Sequence, residues 1–123
     1  MSGNSLLLDT NIILYFLNGD DTLAPLLQEN DLVISIIAEV ELLGYEALTG
    51  NELIRTKEFL NLCTIINITT DIKERAIKIR RRYKIKLPDA FIMATASSLD
   101  IPLVTADKDF QKIQNVDLIL YEK

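Results

Sequence analysis

SLLLDTNIILYFL (residues 5–17) joins a short apolar run, one acid and a helix-like segment. The run SLLL is too short for a buried helix. It suits a strand covered on both faces, where side chains need not alternate in polarity. Asp9 closes it, and TNIILYFL follows as a helix. The same unit recurs along the chain. LVIS (32–35) leads into the helical IIAEVELLGYEAL, and TIINIT (64–69) into DIKERAIKIRRRYK, with Ile72, Ala76, Ile79 and Tyr83 along one helical face. A helix beginning LPDAFIMATA (87–96) precedes the strand IPLVT (101–105), and VDLILY (116–121) reads as a final strand. TLAPLLQEN and NELIRTKEFLNLC add two further helices. Such alternation predicts an α/β fold of three layers, α/β/α, around a central, mainly parallel sheet. With no linker, repeat or low-complexity segment, residues 1–123 read as one domain.

The residues that are missing narrow the chemistry. The chain has no histidine, which excludes imidazole bases, Ser-His-Asp triads and histidine zinc sites. Its single cysteine, Cys63, cannot form an internal disulfide, as suits a reducing cytoplasm. No apolar run reaches the roughly 18 residues that span a membrane. MSGNSLLLDTN lacks the basic start of a signal peptide, so a cytoplasmic location is expected. The net charge is −5, yet KIRRRYKIK (78–86) carries six of the thirteen basic residues and no acid. The protein is acidic with one concentrated basic patch.

Ligands of open α/β sheets gather beyond the carboxyl ends of the strands. Asp9 closes the first strand, and Asp107 follows PLVT by two residues. Asp89 opens a helix and belongs near the same edge if that helix returns across a face. On a helical projection of residues 36–48, Ile36, Ile37, Val40, Leu43 and Ala47 form the apolar face, with Glu39 and Glu46 solvated opposite. Glu41 lies at the margin, placed to look back toward the strand end. Each acid alone has an ordinary explanation as a cap, a turn residue or an edge charge. Together they do not: two carboxylates about 4 Å apart repel by about 4 kcal/mol at an effective dielectric of roughly 20. Protonation or a cation must offset this. Oxygen ligands without histidine favour a hard ion such as Mg²⁺ or Mn²⁺.

The ordered set LLLDTNIIL, VISIIAEVELLGYEAL, KLPDAFIMATA and PLVTADKDF resembles the PIN-domain family, and within it the small VapC-type toxins of prokaryotic toxin–antitoxin pairs. The resemblance spans nearly the whole chain. It implies that Asp9, Glu41, Asp89 and Asp107 are the catalytic acids, binding one or two Mg²⁺ or Mn²⁺ ions. The family's serine matches Ser35, six residues before Glu41, which selects Glu41 over Glu39. Asn11 and Thr105 match supporting polar positions, and Asp109 is either a peripheral ligand or a cap. Met93 stands where smaller residues are common, and SSLD replaces a frequent glycine before IPLVT. The implied activity is a metal-dependent endoribonuclease that uses metal-activated water and leaves a 5′-phosphate and a 3′-hydroxyl. The implied partners are RNA, a protein antitoxin and a second copy of the chain, for which VELLGYEAL and FLNLC leave apolar surface. Arg80, Arg81, Arg82, Lys84 and Lys86 suit backbone phosphates, or else an acidic antitoxin segment.

Two other classes compete. A catalytically inactive PIN-like binding module would not need all four acids. A receiver-type phosphoacceptor needs an aspartate closing a central strand near the middle of the chain, and none lies between Gly50 and Ile68.

Overall fold

Order along the chain is β1 (Ser5–Leu8), α1 (Thr10–Leu17), a 3₁₀ turn (Asp21–Leu23), α2 (Ala24–Gln28), β2 (Asp31–Ser35), α3 (Ile36–Leu43), α4 (Gly50–Asn61), β3 (Thr64–Ile66), α5 (Thr70–Arg82), α6 (Leu87–Leu99), β4 (Leu103–Thr105), a second 3₁₀ turn (Lys108–Lys112) and β5 (Leu118–Leu120). This is a computed structural model that describes residues 4–122. Residues 1–3 and 123, which the single-domain reading of 1–123 includes, lie outside the described residues. The five strands form one sheet in the order β3-β2-β1-β4-β5, parallel at every pairing.

All four residues of β1, the central strand, are buried, which is why SLLL shows no polar alternation. Leu6 and Leu8 pack on one face with Ile12, Ile13, Leu27, Leu42 and Phe59, and so against α1, α2, α3 and α4. Leu7 points the other way, with Val33 and Leu103, toward Ile92, Met93 and Ala96 of α6. Met93 is thus a core side chain that fills space between helix and sheet. The chain builds outward from β1 to β2 and β3, then crosses through α5 and α6 to start again on the other side of β1 with β4 and β5. The reversal falls between β1 and β4, and there a doubly wound sheet opens a crevice at its carboxyl edge.

Helix α3 departs from the projection over 36–48. It stops at Leu43, with Gly44 as its cap. A side chain at Gly44 would start 2.6 Å from the Val40 carbonyl oxygen, so only glycine closes the turn there. The buried pair is Ala38 and Leu42, spaced i,i+4, whereas Val40 is 62% and Leu43 36% exposed. Ala47 is also exposed, and Glu39 is half-buried rather than solvated. The helix holds eight residues, and those beyond Gly44 leave its axis, so they do not share its apolar face. The segment TLAPLLQEN likewise divides into a 3₁₀ turn and the short α2.

Asp100, the last residue of SSLD, caps α6 in the left-handed conformation at φ 54°, ψ 47°. That is the geometry glycine adopts freely, and aspartate is among the few other residues that visit it. Among the described residues, no helix is long and apolar enough to cross a membrane. Helices α5 and α6 meet through Ile72, Ala76, Ala90 and Ala94, and the three alanines permit close approach. Ala94→Leu should therefore overpack this contact and cost about 1–3 kcal/mol, read as a lower urea midpoint at unchanged slope. An unaltered midpoint would show that the contact is loose.

Candidate active site

The crevice between β1 and β4 is tied shut beneath its mouth by hydrogen bonds. Asp9 follows β1 directly, caps α1, and is only 6% exposed. Its Oδ1 accepts the Thr10 backbone N–H at 2.8 Å, and its Oδ2 accepts the Thr105 hydroxyl at 2.8 Å. Thr105 is the last residue of β4 and fully buried. Its Oγ1 accepts the Asp107 N–H at 3.1 Å, and Asp107 Oδ1 accepts the Asp109 N–H at 2.9 Å. In the other direction, the Thr10 hydroxyl donates to Glu41 Oε1 at 2.8 Å. Glu41, Asp9 and Asp107 are therefore linked through two threonines, Thr10 at the start of α1 just beyond β1 and Thr105 at the end of β4.

Asp89 enters from a different layer. It sits in the first turn of α6, after Pro88, where an acid suits the helix dipole. Because α6 leads into β4 and packs against the sheet, its N-terminus lies at the carboxyl edge. The Asp89 carboxyl is pushed up to about 6, first by burial and then by the charges of Asp9, Glu41 and Asp107; Lys86 acts in the opposite direction. Burial likewise raises the Asp9 carboxyl, and Glu41 and Asp107 add to the rise, while the Thr105 and Thr10 hydrogen bonds work against it. The charges of Glu41 on α3 and Asp107 after β4 thus reach both Asp9, just beyond β1, and Asp89 on α6.

The supporting positions divide. Thr105 bonds Asp9 directly. Ser35 is buried and caps α3 by accepting the Ile37 N–H at 3.1 Å, so it sets the start of the helix that carries Glu41. Asn11 is exposed in the first turn of α1, and among the described residues no hydrogen bond joins it to an acid. Asp109 contributes its backbone N–H to Asp107, and its side chain is exposed. Thr10, which sequence reasoning passed over, joins Glu41 to Asp9; its signal was a hydroxyl directly after the strand-closing acid. Arg80, Arg81, Arg82, Lys84 and Lys86 are exposed around the turn between α5 and α6. Arg80 Nη1 donates to the Ile85 carbonyl at 2.6 Å and braces this turn, and Arg82 stands 5.5 Å from the Tyr83 ring centroid. The basic turn adjoins the acids, since the Lys86 charge is felt at Asp89.

The donors at this edge are carboxylates and hydroxyls, hard oxygen ligands in a chain without histidine. Cys63 is no alternative nucleophile: burial pushes its thiol up to about 11, and it donates to the Phe59 carbonyl. Among the described residues, no three acids stand close enough to make a ready-formed cation cage. The fit to a divalent cation rests on donor chemistry and on the mutual charge of the four groups. Asp9, Glu41, Asp89 and Asp107 could hold such an ion.

The PIN domain profile matches residues 6–116. The chain belongs to the PIN-domain family. A chain of a solved toxin–antitoxin complex from Klebsiella pneumoniae matches at 35% identity and TM-score 0.82, covering 96% of this chain and 99% of that one. VapBC2 from Rickettsia felis, bound to a DNA fragment from its promoter, matches at 23% identity and TM-score 0.77, covering 96% and 99%. FitAcB from Neisseria gonorrhoeae matches at 25% identity and TM-score 0.75, covering 93% and 96%. A search of curated proteins found no match. The resemblance to VapC-type PIN proteins read from the sequence therefore extends to the fold along nearly the whole chain.

The Asp89 shift has a consequence for stability in the metal-free PIN domain. Its folded pKa, about 6, lies above the ordinary aspartate value of 3.8, so between these values the native state holds more protons than the unfolded state. Stability is then lost as pH rises through this window. Asp89→Asn should be more stable than the wild type at pH 7 and should flatten the decline between about pH 4 and 6, as followed by urea midpoints. Parallel pH profiles for the two proteins would contradict the coupling.

Proposed function

We propose that this PIN domain is a metal-dependent endoribonuclease, the toxin of a toxin–antitoxin pair. The observation that carries the reading is the electrostatic coupling of Asp9, Glu41, Asp89 and Asp107 at the topological reversal of the sheet. A fold does not gather four acids at its ligand crevice for stability, because the charges of Glu41 and Asp107 oppose the ionisation of Asp9 and Asp89. An inactive binding module would have no use for that repulsion.

In this reading the four acids hold one or two Mg²⁺ or Mn²⁺ ions, which when bound supply Lewis-acid activation of water and neutralise charge at the scissile phosphate. The chain's own groups do the rest. Thr105 and the Thr10 N–H keep Asp9 in one orientation and favour its ionised form. Ser35 fixes the start of α3 and hence the reach of Glu41. The α6 dipole favours ionised Asp89 against the push of its neighbours. Arg81, Arg82, Lys84 and Lys86 attract the phosphate backbone beside a pocket that would otherwise repel it. RNA as the substrate follows from the family resemblance, and Klebsiella pneumoniae's toxin–antitoxin complex supports a protein antitoxin as partner. A homodimer belongs to the same proposal: Val40, Leu43 and Tyr45, on or just after α3, and Leu62, after α4, are large exposed apolar side chains.

Purified protein is expected to cleave RNA with Mg²⁺ or Mn²⁺ and to stop in excess EDTA, and Asp9→Asn or Asp89→Asn should abolish cleavage with an unchanged circular dichroism spectrum. Undiminished cleavage by both variants in EDTA would sink the metal-site reading. Expression of the wild type should arrest growth, and sequencing of RNA 5′ ends after brief induction, against Asp9→Asn, would name the target. Harmless expression of verified soluble wild type would count against a toxin.

A further inference from the structure

We propose that Thr10 is a positioning residue of this site, its hydroxyl holding the Glu41 carboxylate in register with Asp9. The proposal rests on the reading of Asp9 and Glu41 as cation-binding acids and adds the device that sets their separation. Glu41 lies on the exposed side of a two-turn helix, so packing does not fix its side chain. Among the described residues, the one hydrogen bond its carboxylate makes is the 2.8 Å contact from Thr10 Oγ1, across 31 residues of sequence. The same threonine donates its backbone N–H to Asp9 Oδ1 at 2.8 Å. One residue therefore grips two acids through two different donors.

The position of Thr10 explains why its hydroxyl is free for this. A threonine inside a helix usually turns its hydroxyl back to a carbonyl of the preceding turn. Thr10 is the first residue of α1, and no helical turn precedes it. Its Oγ1 can reach outward to α3. Glycine or alanine here would leave the Asp9 cap intact through the backbone and release only Glu41.

The test is Mn²⁺ binding without RNA, read from the electron paramagnetic resonance signal of free Mn²⁺, on folded wild type, Thr10→Val, Thr10→Ser, Glu41→Gln and the Thr10→Val/Glu41→Gln double variant. Thr10→Val keeps shape and backbone donor while removing the hydroxyl, and should weaken Mn²⁺ binding by about tenfold or more, the scale of outer-shell partners. Thr10→Ser should stay near wild type. In the Glu41→Gln background, Thr10→Val should cost nothing further, because its effect passes through Glu41. Wild-type affinity in Thr10→Val, an equal loss in Thr10→Ser, or an undiminished loss in the double variant would overturn the proposal. Should Thr10→Val not fold, Thr10→Ala takes its place with the same expectations. A wild type that binds no Mn²⁺ would overturn the active-site reading and this inference together; a wild type that binds and cleaves while Thr10→Val matches it would overturn the role of Thr10 alone.

Discussion

Repulsion among carboxylates is the constraint around which this fold is arranged. Asp9 must stay charged while nearly buried, and burial alone drives it the other way. Two donors oppose that drive: a hydroxyl from the end of β4 and a backbone N–H from the start of α1. The N–H comes from the next residue in the chain, but the hydroxyl is available only because β4 pairs with β1, which places Thr105 beside Asp9. The strand order thus does electrostatic as well as topological work. If β4 lay elsewhere in the sheet, Asp9 would lose its strongest partner and the crevice would lose one wall.

The same strand order separates attraction from repulsion. Acids gather where β1 and β4 diverge, and the basic turn between α5 and α6 lies next to them, near enough for Lys86 to act on Asp89. An acidic pocket on an acidic protein is a poor target for a polyanion. A cluster of exposed basic side chains at its rim changes the local field without changing the net charge. Arg80 is partly committed to holding the turn itself, through its bond to the Ile85 carbonyl.

Much of this was legible in the residues. SLLL, LVIS and PLVT are continuous apolar runs because both sheet faces are covered, and Asp9, Ser35 and Thr105, the polar side chains that close or follow them, lie at the carboxyl edge. Asp9, Asp89 and Asp107 could be located by where strands end and helices begin. Strand lengths were less legible: TIINIT, IPLVT and VDLILY shrink to Thr64–Ile66, Leu103–Thr105 and Leu118–Leu120, because an apolar run does not report how far the neighbouring strand pairs with it. Glu41 was selected partly through a helical face that the structure rotates, since Gly44 ends α3 five residues early. Its link to Thr10 joins positions 31 residues apart, and no local pattern carries such a contact. Sequence periodicity reports what an element buries; it does not report which hydroxyl reaches across to the next element.

The central claim is that these acids share one cation-binding field in which Asp89 is held partly protonated until a cation arrives. Calorimetric titration of wild-type protein with Mn²⁺, repeated in two buffers of different ionisation enthalpy, measures the protons released on binding. The account predicts release of about half a proton at pH 6, where Asp89 is half protonated, falling toward none near pH 8. Binding without proton release at pH 6, or no binding at all, would contradict it.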